Sequence, residues 1–262
     1  FRSEIEKYTK APIVAEISSS EKTDKKGEFK APTEVTQIEQ FRQLRVNMGL
    51  YGRTFTRRKI MITSSIPGEG KSYISSNLAL SLASSNKKVV LLDFDLRNPN
   101  TSTMFELRDK AGIIDYLSDD IDLSDIINPT SFKNLSIIPA GIDIGDHTET
   151  LLNEKINLLF QYLTENFDYI ILDTAPIDLV SDAYLLTEYC DISLMVIRHA
   201  YTPINLLQRL TAKNNLRALN GLAIVFNDVK PRGFIKGQYG YGYGYGYENK
   251  YGDKTYRRNV AS

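Results

Sequence analysis

The stretch Ser64-Ser65-Ile66-Pro67-Gly68-Glu69-Gly70-Lys71-Ser72 lies between an apolar run, Ile60-Met61-Ile62-Thr63, and a helical pattern over residues 71–85. Strand, glycine-bearing loop and helix, with Gly70-Lys71-Ser72 at the turn, is the layout of a phosphate-binding loop. Backbone N–H groups of such a loop point at phosphate oxygens, and the helix N-terminus adds partial positive charge. Pro67, Gly68, Glu69, Gly70, Lys71, Ser72 and Tyr73 are therefore the expected nucleotide contacts. Lys71 is expected to reach the outer phosphates, and the Ser72 hydroxyl to ligate Mg²⁺. The strict pattern asks for glycine at position 65, where this chain has Ser65. A Gly/Ser-rich turn that merely joins two elements is the bland alternative, and the strand–loop–helix context argues against it.

Outward from the loop, short β-rich runs alternate with helical stretches. The runs are Val89–Leu92, Leu135–Ile138, Tyr169–Leu172, Ser193–Ile197 and Leu222–Phe226, and the helical patterns cover 149–165, 178–188 and 203–219. Several runs are apolar at consecutive positions, which suits strands covered on both faces. The expected fold is α/β, a doubly wound and mostly parallel sheet flanked by helices, of the P-loop NTPase type. Asp93 and Asp95 end one strand and Asp173 ends another. In open α/β sheets ligands sit at the carboxyl ends of strands, so all three are expected to converge on the loop. A carboxylate there holds Mg²⁺ directly or through water. Each Asp taken singly is more often a strand-end turn residue.

The flanks differ in kind. Residues 1–17 read as a short amphipathic piece ending in a strand-like run, Pro12 to Ile17. Residues 18–32 turn to Ser, Lys, Glu and Gly and read as a flexible linker. Thr33 is the expected N-cap of a helix with Val35, Ile38, Phe41, Leu44 and Met48 on its apolar face and Glu39, Arg42 and Arg45 on the other. Residues 33–230 carry the α/β pattern. In residues 231–262, Tyr239, Tyr241, Tyr243, Tyr245 and Tyr247 alternate with glycine, and Tyr251 and Tyr256 follow. Glycine at every second position is costly to order, so a mobile tail is expected.

Composition excludes several classes. Lys+Arg and Asp+Glu balance at 32 each, so polyanion binding would need a local patch. The single cysteine, Cys190, rules out an internal disulfide and a thiolate zinc cluster, and reads as a buried thiol. No apolar run approaches the roughly 18 residues a bilayer span needs, and no signal-peptide layout is present. His147 and His199 suggest no site, and Asn227 reads equally as an adenine contact or a strand cap.

Ser65–Ser72, then Leu92-Asp93-Phe94-Asp95-Leu96-Arg97-Asn98-Pro99, then Ile171-Leu172-Asp173-Thr174-Ala175-Pro176, resemble the Walker A, A′ and B motifs of bacterial tyrosine kinases, of the CapB-like, capsular-polysaccharide type. The resemblance runs from about Thr33 to the C-terminus, and the A′ motif is its most specific part. It implies a protein-tyrosine kinase using ATP and Mg²⁺, with Asp93 as base, Asp95 and Asp173 serving the metal, and Lys71 on the phosphates. Glu39, Arg42 and Arg45 fit the family's E-x-x-R-x-x-R motif, implying a ring-shaped homo-oligomer. The tail tyrosines are then phosphoacceptors, modified between subunits. Residues 1–17 are similar to the tail of a CapA-like membrane activator, here joined to the kinase through the linker. The resemblance also implies a role in capsular polysaccharide synthesis, a cognate tyrosine phosphatase, and cytoplasmic placement with recruitment to the inner membrane face.

Two other readings compete. A ParA/MinD-type switch ATPase shares the sheet and a related loop, but it usually carries an early loop lysine that Ser64 to Pro67 lack, and ends in a basic or amphipathic element. Arg53, Arg57, Arg58 and Lys59 form a basic patch, read here as a solvated loop, and no nucleic-acid partner is expected. The other reading is an interaction module in which the Tyr-Gly repeat is sticky and never phosphorylated.

Overall fold

The structure is a computed structural model that describes residues 2–19, 29, 31–50, 58–118, 121–142, 150–179, 181–212 and 215–230. The strands are β1 (Ile13–Ser18), β2 (Lys59–Ser64), β3 (Val89–Phe94), β4 (Asn128–Pro129), β5 (Leu135–Ile138), β6 (Tyr169–Thr174), β7 (Ile192–Arg198) and β8 (Ala223–Val229). The helices are α1 (Arg2–Tyr8), α2 (Val35–Asn47), α3 (Lys71–Ala83), α4 (Asn100–Met104), α5 (Ile113–Ser118), α6 (Leu123–Ile126), α7 (Lys155–Asn166), α8 (Asp182–Leu186) and α9 (Ile204–Ala212). Among the described residues the strands form one sheet in the order β1-β8-β7-β2-β6-β3-β5-β4, parallel throughout except for β4 against β5. All six runs read as strands from 59 onward are strands of this sheet.

Consecutive apolar residues serve two cores. In β2 and β3, Met61, Val90 and Leu92 join the core built with α1, α5, α7, α8 and α9. Their neighbours Ile60, Ile62, Val89 and Leu91 join the core under α2 and α3. Successive side chains of a strand point to opposite faces, so a strand covered twice must be apolar at every position. The chain order follows: β2 and β3 connect through α3 on one face, and β5 to β6 through α7 on the other.

Several boundaries differ from the sequence reading. Helix α2 begins at Val35, Glu34 precedes it without a side-chain cap, and Thr33 is not the N-cap. Val35 stays 82% exposed, while Gln37 and Arg45 are buried beside Phe41 and Leu44. The packed stripe is therefore rotated toward Arg45. Helix α7 starts only at Lys155, whose N–H donates to the Asn153 side chain at 2.9 Å in a local turn that competes with helix. The stretch read over 203–219 is α9 followed by a separate helical turn at Asn215–Ala218.

Residues 1–230 form one compact unit. β1 adds to the sheet edge beside β8, and Ile17 is fully buried against the α2/α3 core. Phe29, within the stretch read as linker, is buried, with its ring stacked at 4.7 Å on Phe105. The tail tyrosines from Tyr239 to Tyr256, with Arg53, Arg57 and His147, lie outside the described residues. Among the described residues no helix is long and apolar enough to cross a membrane. Cys190 is a buried free thiol.

Because Ile17 fills core space, Ile17→Ala should lower unfolding stability by about 2–4 kcal/mol in urea titration. A loss below about 1 kcal/mol would mean that β1 does not share the core.

Candidate active site

Three strands deliver the site. β2 runs into the loop 65–70 and α3 begins at Lys71, while β3 and β6 lie side by side with Asp93 opposite Asp173 in register. Gly68 and Gly70 hold φ of +84° and +96°, the left-handed region that favours glycine. Ser65 is outside that region, so position 65 does not need a glycine. Its hydroxyl lies 2.8 and 2.9 Å from the two carboxylate oxygens of Glu69, which is fully buried.

Beneath the loop the Lys71 ammonium sits 2.7 Å from Asp95 Oδ2 and 3.4 Å from Asp173 Oδ1, with all three side chains buried. Burial works against its charge, but Asp173, Asp95 and Asp93 together outweigh this and hold the lysine above its ordinary value. Asp173 Oδ2 accepts from Thr101 Oγ1 at 2.7 Å. Asp95 Oδ1 accepts from the Asn98 N–H at 3.1 Å. Asp93 faces the start of α4, accepting from the Ser102 N–H at 2.7 Å and the Ser102 hydroxyl at 2.8 Å. Its complete burial, then the nearby Asp173 charge, push it up from 3.8 to about 7. Three carboxylates share one ammonium, and among the described residues Asp93 is the one of the three without a direct ion pair.

The set Asp95, Asp173 and Ser72 offers hard oxygen donors. Among the described residues no group of three or more His, Cys, Asp or Glu could hold a metal alone. One or two carboxylates completed by phosphate oxygens and water is the usual setting of Mg²⁺, so the residues fit that ion.

Other expected residues fall elsewhere. The Tyr73 ring turns away from the loop to meet Phe41 edge-on at 6.0 Å, and burial pushes its hydroxyl up to about 12. Only its backbone is left for a phosphate. Asn227 donates to the Glu69 carbonyl at 2.9 Å and so braces the loop. Glu39 and Arg42 are exposed and paired at 3.3 Å, but Arg45 is buried with its guanidinium donating to the Ser81 carbonyl. The three do not share one face. The sequence reading missed Thr101 and Ser102, which hold Asp173 and Asp93. The only signal was their place just after Arg97-Asn98-Pro99, where a loop must return toward the strand ends.

A buried lysine at a glycine-bent loop, set over strand-end carboxylates of a parallel sheet, defines a P-loop nucleotide-binding protein. A family model described as an AAA domain matches residues 57–216. The tyrosine-protein kinase CpsD of Streptococcus agalactiae is 34% identical over 203 residues, covering 77% of this chain and 88% of that protein. The kinase domain of the Escherichia coli tyrosine kinase ETK superposes with a TM-score of 0.77 over 92% of this chain and 99% of its own, at 24% identity, which speaks for the fold. The chimerical protein CapA2B2 gives 0.76 over 88% of this chain and all of its own, also at 24%. The septum site-determining protein MinD of Pyrococcus horikoshii is more distant, at 0.51 over 64% of this chain. The chain belongs to the bacterial tyrosine-protein kinases, within the AAA-domain P-loop proteins. It is an ATP-using protein-tyrosine kinase, and the switch ATPases are its distant fold relatives.

The Asp93 shift carries a pH signature. Its folded value lies above the unfolded one, so the native state holds this proton more tightly, and that stability is present at low pH and lost as pH rises from about 4 to 7. Asp93→Asn should therefore gain roughly 2–4 kcal/mol on the natural chain between pH 4 and pH 7 in paired urea titrations. A difference that stays flat with pH would contradict the raised value.

Proposed function

We propose that this chain transfers the γ-phosphoryl group of Mg·ATP to the tyrosines of another copy's tail, Tyr239, Tyr241, Tyr243, Tyr245, Tyr247, Tyr251 and Tyr256. The Tyr-Gly alternation of residues 239–247 carries this reading, since glycines let each tyrosine enter a foreign site without steric conflict. Pro67 to Tyr73 take the phosphates, with the loop N–H groups and the Lys71 ammonium facing the charge that develops on the transferring group. Bound Mg²⁺ supplies further neutralisation of that charge, held by Ser72, Asp95 and Asp173. Asp93 accepts the tyrosine proton. Phenols ionise near 10, and a carboxylate raised to about 7 is a better match than an ordinary one. The role of Asp95 is shared, because it is also the direct partner of Lys71.

Residues 1–17 are proposed as an activator-derived segment, 18–32 as its linker, 33–230 as the kinase domain and 231–262 as the substrate tail. The likeness to the whole length of chimerical CapA2B2 supports a joined arrangement. The partners proposed are other copies in a ring, a membrane activator of the chain-length-regulator type and a cognate tyrosine phosphatase. The site of action is the inner membrane face and the role is capsular polysaccharide synthesis, as for the family it resembles. Exposed Glu39 and Arg42 are the subunit contact, and buried Arg45 supports α2 from within.

Lys71→Met should abolish phosphotyrosine in the purified chain with Mg·ATP, by immunoblot and mass spectrometry, while keeping the fold. Retained labelling would remove Lys71 from the mechanism. Arg42→Ala should reduce the mass by light scattering to a monomer with little change in stability, whereas Arg45→Ala should lower the melting temperature. A persistent ring in Arg42→Ala would count against the contact.

A further inference from the structure

The end of β7 and the loop that leads from it to α9 were not singled out by any motif, yet they grip the phosphate-binding loop at three successive residues. The Tyr201 hydroxyl donates to the Pro67 carbonyl at 3.0 Å. Arg198 Nη1 donates to the Gly68 carbonyl at 2.8 Å, and its guanidinium lies 5.1 Å over the Tyr201 ring. The Thr202 hydroxyl donates to the buried Glu69 carboxylate. That carboxylate also accepts from the Ile66 N–H at 2.8 Å and from Ser65. Tyr201 packs so close to Gly68 that a Cβ there would lie 2.7 Å from its hydroxyl.

Thr202 is the pivot. Its hydroxyl accepts the Arg198 N–H at 2.9 Å while donating to Glu69, so proton and lone pair are both engaged. The turn that allows this puts Ala200 at φ +56°, an uncommon conformation for a residue with a side chain. A buried carboxylate is costly unless donors surround it, and burial pushes Glu69 above its ordinary value even with these donors in place. The loop has its own internal donors in Ser65 and Ile66. Thr202 adds a donor to that carboxylate from outside the loop.

We propose that Thr202 is a positioning residue for the kinase reaction: through Glu69 and Ser65 it holds the phosphate-binding loop in the shape that receives the ATP phosphates. Ser65, the departure from the strict motif, is on this view one half of the brace. The side chain that replaces glycine supplies a hydroxyl that glycine could not. Arg198 and Tyr201 hold the carbonyls of Gly68 and Pro67, the two residues before Glu69, in the same brace. The proposal rests on reading the Lys71 loop as the ATP-phosphate site.

The test uses the full chain, with binding of a fluorescent ATP analogue, the ATP KM and kcat of tyrosine phosphorylation, and the melting temperature of each variant. Removing one hydrogen bond to a buried charge corresponds to about tenfold or more in an equilibrium constant. Thr202→Val should therefore weaken analogue binding and raise the ATP KM about tenfold, with kcat lowered less than about threefold. Thr202→Ser keeps both hydrogen bonds and should restore binding. Normal binding by Thr202→Val, or equal impairment of Thr202→Ser, overturns the proposal. If Thr202→Val does not fold, Ser65→Ala tests the same carboxylate from the other side: weakened binding supports the brace and unchanged binding overturns it. Lys71→Met separates the two readings. If it binds the analogue normally, the phosphate-site assignment fails. If it is impaired while Thr202→Val binds normally, the brace alone fails.

Discussion

One ammonium held between two buried carboxylates organises this molecule. Lys71 can be charged beneath the loop only because Asp95 and Asp173 are there to meet it. Leaving either partner alone in that interior would cost on the order of several kcal/mol. The sheet order exists in part to make that meeting possible. It sets β6 between β2 and β3, so Asp93 of β3 and Asp173 of β6 stand in register beside the loop that leaves β2, with Asp95 just past the end of β3. Helix α4 then closes the cluster from the far side with the hydroxyls of Thr101 and Ser102.

The same charge count explains how the site divides its labour. With one ammonium and three carboxylates, full ionisation would leave an excess of buried negative charge, and the strain falls on Asp93, which has no ion pair among the described residues. A proton-hungry carboxylate beside a paired lysine is what phosphoryl transfer to a phenol calls for. In the proposed reaction, entering ATP phosphates would compete for Lys71, and Asp95 and Asp173 would be the carboxylates left to hold a divalent cation.

Much of this was legible in the sequence because it depends on local chemistry. Gly70-Lys71-Ser72 after a strand, aspartates at strand ends and doubly apolar strands each have a cause within a few residues. What was not legible depends on packing at a distance. Arg45 sits at a spacing that matches Glu39 and Arg42, yet the rotation of α2 buries it against Ser81. Tyr73 lies next to the loop in sequence, but its ring belongs to the α2/α3 core. Thr202 and Arg198 are about 130 residues from the loop they hold and carry no motif. Glu69 was read only as one of the nucleotide contacts of the loop, and its burial revealed that its carboxylate must be surrounded by donors.

The most direct measurement mixes the natural chain with a Lys71→Met chain of distinguishable mass, adds Mg·ATP, and locates phosphotyrosine in each by mass spectrometry. Label between Tyr239 and Tyr256 of the Lys71→Met chain is the expected result if, as proposed, one copy's site serves another copy's tail. Label confined to the natural chain, or phosphate release with no phosphotyrosine on either, would contradict it.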